Sequence, residues 1–129
     1  MLFLLSLTIL GLALLLRSGC GAGTQPSFEQ ISAQEAAKIM EQEADCVIVD
    51  VRTRAEYDEG HIPGAICVPN ESIGTKQPEA LPDLEQTILA YCRSGRRSAE
   101  ASEKLAAMGY TNVKDFGGIL NWTGPVVTE

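Results

Sequence analysis

The chain has 129 residues, enough for one domain of ordinary size. Its 17 acidic and 10 basic residues give a net charge of −7, which argues against binding to nucleic acid or anionic lipid, because both favour basic patches. Four cysteines, one histidine and no Cys-x-x-Cys spacing argue against a zinc module or a thioredoxin-type redox motif. A hydrophobic content of 45% excludes full intrinsic disorder.

The chain begins with an apolar block, and we interpret residues 1–20 as a signal peptide or a membrane anchor. As a helix, residues 1–16 would span roughly 24 Å, less than the ~30 Å hydrocarbon core of a bilayer. The sequence up to Cys20 resembles the end of a bacterial lipobox, although Arg17 stands where lipoboxes carry an apolar residue. Export with cleavage and retention as a membrane tether both stay open. We expect an exported or membrane-anchored protein in the periplasm or cell envelope of a bacterium.

Residues 21–27 are rich in Gly, Ser and Pro and are interpreted as a linker to a single domain, residues 28–129. Ser32 and Glu35 have capping-box spacing, which predicts a helix over residues 33–42. The apolar, β-branched run that follows, CVIVDV, predicts a strand that is buried on both faces.

The middle of the domain alternates short elements with turns. Thr53 and Glu56 form a second capping box for a short helix. Residues 60–65 are predicted to form a turn, residues 66–68 a second buried strand, and residues 70–82 mostly a loop.

The last third of the domain repeats the order strand, loop, helix and strand. Residues 87–92 are predicted to form a strand and residues 93–97 a loop, after which Ser98 caps a helix that ends at Gly109. Residues 112–116 are predicted to form the last strand. Strands that alternate with helices predict an α/β fold with a mostly parallel sheet.

Cys92 lies at the carboxyl end of a predicted buried strand, just before a Gly-containing loop and a helix start. Ligands of open parallel sheets bind outside the carboxyl ends of the strands. Such a loop presents backbone N–H groups inward, and Arg93, Arg96 and Arg97 add positive charge. We expect this setting to favour an exposed thiolate and to bind an anion beside the sulfur. From this segment alone, an inert thiol beside a solvated loop is an equal alternative.

Five segments together resemble the single-domain rhodanese family, the thiosulfate sulfurtransferases. They are residues 50–52 (DVR), 56–57 (EY), 60–65 (GHIPGA), 91–98 (YCRSGRRS) and 117–122, which contains GGI and Trp122. The resemblance covers residues 28–127 and implies a rhodanese-like α/β fold, whose mostly parallel central sheet is flanked by helices on both faces. It implies no cofactor and no metal.

The resemblance also implies a function. Cys92 would attack the outer sulfur of thiosulfate or a similar small donor, hold a persulfide, and pass the sulfur to a thiol or to cyanide. The implied donor-binding loop consists of Arg93, Ser94, Gly95, Arg96, Arg97 and Ser98, and the implied supporting residues are Asp50 and Arg52. A persulfide carrier or partner-binding module with little thiosulfate turnover is the alternative.

Loop length favours sulfur transfer over oxyanion chemistry. The family's sulfurtransferases have a six-residue loop, here residues 92–97, whereas the related phosphatases and arsenate reductases have a longer Cys-x5-Arg loop. The sixth residue after Cys92 is Ser98 and not arginine. The longer loop is therefore absent from this sequence.

Several other residues that invite a functional role have a structural interpretation. His61 is expected to be structural, because persulfide transfer from an ionised cysteine needs no general base. Gly117 and Gly118 are expected to form a tight turn near the rim of the pocket. Cys46 and Cys67 are expected to be free buried thiols, with a disulfide between them as the alternative in an exported protein.

Overall fold

A five-stranded sheet forms the centre of residues 27–129, the part of the chain that this computed structural model describes. Its strands are β1 (Glu29–Gln30), β2 (Val47–Asp50), β3 (Ile66–Cys67), β4 (Ile88–Cys92) and β5 (Val113–Gly118). The α-helices are α1 (Ala33–Gln42), α2 (Arg54–Glu59) and α3 (Arg96–Ala107), and short 3-10 helices span Asn70–Ser72 and Ile119–Asn121.

The predicted leader, residues 1–20, and the predicted linker up to residue 26 lie outside the described residues. Between residues 27 and 129, no helix combines the length and the apolar character that a membrane crossing requires. The whole of the predicted domain, residues 28–129, is described.

The sheet has the strand order β1-β5-β4-β2-β3, and all of these neighbouring strands are parallel. Strand β4 is central and every one of its residues is buried, which accounts for its nearly continuous apolar sequence. The predicted parallel sheet is confirmed. Strand β1 was not predicted, because its two exposed polar residues give no apolar signal.

Helices cover both faces of the sheet, as predicted. Successive side chains of β4 point to opposite faces, so Cys92 and Tyr91 belong to different hydrophobic clusters. The cluster of Cys92 includes Leu105 from α3, whereas that of Tyr91 includes Ala36 from α1. The end of β4 therefore presents the cysteine on the face that α3 covers.

Two of the predicted helix starts are confirmed by their caps. The Ser32 hydroxyl accepts a hydrogen bond from the Glu35 N–H at 3.0 Å and caps α1. At α2 both halves of the capping box between Thr53 and Glu56 are present.

The predicted start of α3 at Ser98 is wrong. The helix begins at Arg96, and its N-cap is Gly95, whose φ of +114° lies in the left-handed region. Glycine reaches this conformation without a steric penalty, so the chain turns into the helix earlier than a side-chain cap would allow. Arg96 and Arg97 therefore lie in the first helical turn instead of the loop.

The predicted tight turn at Gly117 and Gly118 is also wrong, because both residues belong to β5. Ala90 of β4 is paired with Asp115, but Cys92 is paired with Gly118, so β5 contains one extra residue in this interval. Gly117 has a φ of +87° and accommodates this bulge, which bends β5 next to the cysteine.

Candidate active site

Cys92 ends the central strand, and its sulfur lies beneath the loop of residues 93–95. The Gly95 N–H donates a hydrogen bond to Cys92 Sγ at 3.0 Å. The residue is only 1% exposed, so the prediction of an exposed thiolate is wrong. The physical reason is that a central strand brings its last side chain into the interior, where the following loop folds back over it.

Ser98 lies directly beside the sulfur. It is fully buried, and its Oγ is 3.5 Å from Cys92 Sγ. The same hydroxyl is within donating distance of two carbonyl oxygens, that of Gly95 at 3.1 Å and that of Gly117 at 3.3 Å. Ser98 therefore links the cysteine, the loop and the bulge of β5.

The outer side of the loop packs against the backbone of β5. A Cβ atom at Gly118 would overlap the Arg93 carbonyl group and the Ser94 Cα atom, so only glycine permits this approach. The Leu120 N–H donates to the Arg93 carbonyl oxygen at 3.3 Å, and the Asp115 carboxylate accepts from the Gly117 N–H at 2.9 Å. These contacts hold the loop closed around the sulfur.

The three arginines that follow Cys92 differ in their partners. Arg97 donates to both carboxylate oxygens of Glu56, at 2.7 Å and 3.0 Å. Arg96 is largely exposed and pairs with Glu100 at 2.8 Å. Arg93 is exposed and forms no ion pair with any residue between 27 and 129. Of the three arginines, Arg93 is thus the one that has no carboxylate partner within residues 27–129.

The carboxylate that binds Arg97 is strongly stabilised in its ionised form. The Arg97 guanidinium and, to a smaller extent, the Thr53 N–H and hydroxyl together lower the pKa of Glu56 to about 2 against the opposing effect of burial. The same ion pair raises the pKa of Arg97. The link between α2 and α3 is therefore fully charged at neutral pH.

The predicted supporting residues form a buried cluster at the end of β2. Arg52 Nη2 lies 2.7 Å from Asp50 Oδ2 and 2.6 Å from the Gly60 carbonyl oxygen. The Tyr91 hydroxyl donates to Asp50 Oδ2 at 2.7 Å and accepts from the Ile62 N–H at 3.1 Å. Burial raises the pKa of Tyr91, so this hydroxyl stays protonated. The cluster fixes β2 to β4 on the sheet face opposite Cys92.

A cavity of about 440 Å³ opens beside the loop. The residues that line it include the cations Arg52 and Arg93, the carboxylate Glu56, and the apolar residues Leu120 and Val126. Leu120 is 67% exposed and Val126 is 50% exposed, so the mouth of this cavity has an apolar rim. The site thus combines a recessed thiol, an adjacent opening and a cation, Arg93, that has no carboxylate partner within residues 27–129.

A family model of the rhodanese-like domain matches residues 32–124. The chain belongs to the rhodanese-like domain family. The predicted family and the predicted rhodanese-like α/β fold are confirmed.

Several relatives of this chain are sulfurtransferases. Thiosulfate sulfurtransferase PspE of Escherichia coli (strain K12) is 38% identical over 79 residues, which cover 61% of this chain and 76% of that protein. A sulfurtransferase of Allochromatium vinosum is 34% identical over 94 residues, 72% of this chain and 86% of the relative. These similarities support a sulfurtransferase of the rhodanese type.

Solved structures show the same fold. A rhodanese with anions from E. coli is 36% identical, with a TM-score of 0.59 over 64% of this chain and 98% of the other. The rhodanese-like domain from an Anabaena protein is 26% identical, with a TM-score of 0.70 over 80% of this chain and 81% of that domain.

His61 of this rhodanese-like domain packs against Tyr57 of α2 and pairs with Val127. It is 2% exposed, its Nδ1 is 2.8 Å from the Tyr57 carbonyl oxygen, and its ring stacks on that of Tyr57 with centroids 3.7 Å apart. Its backbone forms an antiparallel bridge with Val127. These contacts fit the structural role that the sequence predicts.

Cys46 and Cys67 are both free, half-buried thiols, so the alternative of a disulfide between them is wrong. Burial raises the pKa of each thiol. Both side chains are therefore protonated and poorly nucleophilic at neutral pH.

The sequence did not predict one ion-pair partner in the site. Glu56 was assigned only a capping role, yet it also binds Arg97, which is 41 positions later. The spacing within a capping box carries no information about so distant a partner. The available signal is that Glu56 belongs to one of the five family-like segments, residues 56–57 (EY), which does not identify its partner.

Proposed function

We propose that this rhodanese-like domain transfers sulfane sulfur from thiosulfate, or a similar small donor, to a thiol acceptor through a persulfide on Cys92. The hydrogen bond from the Gly95 N–H to Cys92 Sγ, at the start of α3, carries the proposal. A backbone N–H and the positive end of a helix both stabilise a sulfur anion. The names of relatives that are thiosulfate sulfurtransferases support the choice of donor.

The first half of the reaction loads the enzyme. The Cys92 thiolate attacks the outer sulfur of thiosulfate, a new S–S bond forms, the S–S bond of the donor breaks, and sulfite leaves with the electron pair. The Gly95 N–H that binds Sγ in the resting site stabilises the attacking anion. No external oxidant or reductant is needed, because the sulfur atom is transferred without a change in its oxidation state and the electron pair of the broken bond leaves with sulfite.

The second half of the reaction removes the transferred sulfur from Cys92. An acceptor thiolate attacks the outer sulfur of the persulfide, and the Cys92–S bond breaks as the acceptor–S bond forms. Cys92 leaves as a thiolate, and the acceptor departs as a persulfide, or as thiocyanate when cyanide replaces the thiol. The cycle then returns to its starting state.

The burial of Cys92 favours a donor that presents one terminal sulfur atom to a recessed thiol, as thiosulfate does. Arg93, which has no carboxylate partner within residues 27–129, lines the neighbouring cavity and is the cation that we assign to the sulfonate oxygens of the donor. Arg97 is held by Glu56 and acts through the position of the first turn of α3, whereas Arg96 forms only an exposed pair with Glu100.

Transfer of sulfur from thiosulfate to cyanide tests the proposal. Cys92→Ser is expected to abolish the reaction, whereas the matched variant Cys46→Ser removes a free thiol outside the site and is expected to keep the wild-type rate. A Cys92→Ser protein that retains its rate would refute the proposal. Loading of Cys92 without turnover would instead indicate the persulfide carrier.

We also propose that residues 1–20 export the domain or hold it at the membrane, in the bacterial periplasm or cell envelope. The apolar composition of residues 1–16 supports this. Mass spectrometry of the mature N-terminus is expected to find cleavage within this region, lipid on Cys20, or an intact leader in the membrane fraction. An intact chain found only in the soluble cytoplasmic fraction would contradict the proposal.

A further inference from the structure

Three neighbouring atoms compete for a hydrogen bond with the Ser98 hydroxyl. Its Oγ lies 3.5 Å from Cys92 Sγ, 3.1 Å from the Gly95 carbonyl oxygen and 3.3 Å from that of Gly117. A hydroxyl has one hydrogen to donate and two lone pairs that accept. It therefore has only one proton for three acceptors whenever the cysteine is ionised.

The protonation state of Cys92 decides where that proton goes. In the neutral state the thiol S–H donates to Ser98 Oγ, and the Ser98 hydroxyl donates to a carbonyl oxygen. When the thiol is ionised it can only accept, and rotation of the hydroxyl directs its hydrogen at the sulfur. The Gly95 carbonyl oxygen loses little in this exchange, because it also accepts the Ala99 N–H at 3.2 Å.

Resting on the proposed function, we propose that Ser98 is a catalytic residue, a switchable hydrogen-bond donor that stabilises the Cys92 thiolate in both half-reactions. During loading it stabilises the attacking anion. During unloading it stabilises the same anion as the leaving group. In the persulfide the inner sulfur is neutral and a weak acceptor, and the hydroxyl returns to a carbonyl oxygen.

The fully buried setting of Ser98 makes this hydrogen bond effective. Hydrogen bonds to a charged group are stronger than neutral ones, and water does not compete at a residue that is 0% exposed. Loss of such a donor is expected to slow a step that forms or expels the thiolate by about tenfold or more.

Helix α3 provides a matched control one turn later. Ser102 is also 0% exposed, but its Oγ has no hydrogen-bond partner among the described residues, so it forms no hydrogen bond with Cys92. Ser98→Ala and Ser102→Ala thus remove the same hydroxyl from two equally buried sites on one helix. Thermal unfolding of both variants checks that the fold is kept, and Ser98→Gly, which also lacks the hydroxyl and adds no second thiol beside Cys92, replaces an Ala variant that does not fold.

Two rate measurements at fixed pH test the inference. The first is single-turnover sulfur uptake from thiosulfate. The second is modification of Cys92 by methyl methanethiosulfonate, a small neutral probe, followed by mass spectrometry of its peptide. Ser98→Ala is expected to slow both about tenfold or more, with little change in the thiosulfate concentration at half-maximal rate, whereas Ser102→Ala changes neither.

The outcomes separate this inference from the proposed function. Wild-type rates in Ser98→Ala, or a loss confined to thiosulfate affinity, would show that Ser98 only shapes the loop and would overturn the inference. If the wild-type protein takes up no sulfur from thiosulfate, the proposed function fails. Slower modification of Cys92 by the neutral probe in Ser98→Ala would still support the hydrogen bond in that case.

Discussion

Arg97 donates two hydrogen bonds to Glu56, at 2.7 Å and 3.0 Å, and thereby joins the first turn of α3 to helix α2. Glu56 Oε1 also accepts the Thr53 hydroxyl at 3.1 Å, so one carboxylate caps α2 and anchors α3. Since the first turn of α3 closes the loop over Cys92, the ion pair sets the position of the loop.

This ion pair predicts a dependence of stability on acid. The pKa of Glu56 is lowered to about 2 from an ordinary value of 4.5, so its contribution is fully present above the ordinary value and is lost as the pH falls towards 2. Allowing for solvent screening of this partly exposed pair, we expect Glu56→Gln to lower the free energy of unfolding by about 1 to 2 kcal/mol at pH 7. Urea unfolding of Glu56→Gln and wild type, at pH 7 and at pH values below 4.5, measures this difference in the free energy of unfolding.

The exposed pair of Arg54 and Asp58 is the control for this measurement. Asp58→Asn is expected to change stability by a few tenths of a kcal/mol at most, because exposed ion pairs contribute little. The account is contradicted if the deficit of Glu56→Gln is the same at pH 7 and at low pH.

Arg93 and Arg96 are both exposed arginines of the same segment, but only Arg93 lines the cavity beside the loop. Arg93→Ala is expected to raise the KM for thiosulfate about three- to tenfold with a smaller effect on kcat, because a charged hydrogen bond to the donor is lost. Arg96→Ala breaks only the exposed pair with Glu100 and is expected to leave both constants nearly unchanged. Steady-state kinetics would count against the assignment if the two variants behaved alike.

Gly118 has no room for a side chain, because its Cβ would overlap the Arg93 carbonyl group. Gly118→Ala is therefore expected to displace the loop, to lower stability by about 1 to 3 kcal/mol, and to reduce sulfur transfer severely. Gly74 has no atom near its Cβ position and no left-handed φ, so Gly74→Ala is expected to change stability by about 0.5 kcal/mol or less. Unfolding curves and transfer rates of both variants measure the contrast. Normal transfer by Gly118→Ala would show that loop position is not critical.

Local patterns predicted much of the fold because their causes are local. The apolar run that ends at Cys92 is explained by burial on both faces of β4, and the capping box of Thr53 and Glu56 depends on residues three positions apart. The start of α3 was misplaced because a serine is a common cap, whereas Gly95 begins the helix through its left-handed backbone.

The parts of the site that sequence did not predict depend on tertiary packing. The burial of Cys92 follows from the central place of β4 and from the approach of Gly118 to the loop, and neither can be inferred from the loop residues themselves. Likewise, Arg97 counts as a positive charge in the sequence, but the fold brings it to the carboxylate of Glu56, 41 positions earlier. Positive charge near the sulfur is therefore more limited than the sequence implies.

The intact mass of the protein after incubation with thiosulfate, with mapping of the modified peptide, shows whether Cys92 carries the transferred sulfur. We expect a gain of one sulfur atom on the peptide that contains Cys92, its removal by cyanide or a thiol, and no gain in Cys92→Ser. An unchanged mass, or sulfur found on Cys46 or Cys67 instead, would contradict it.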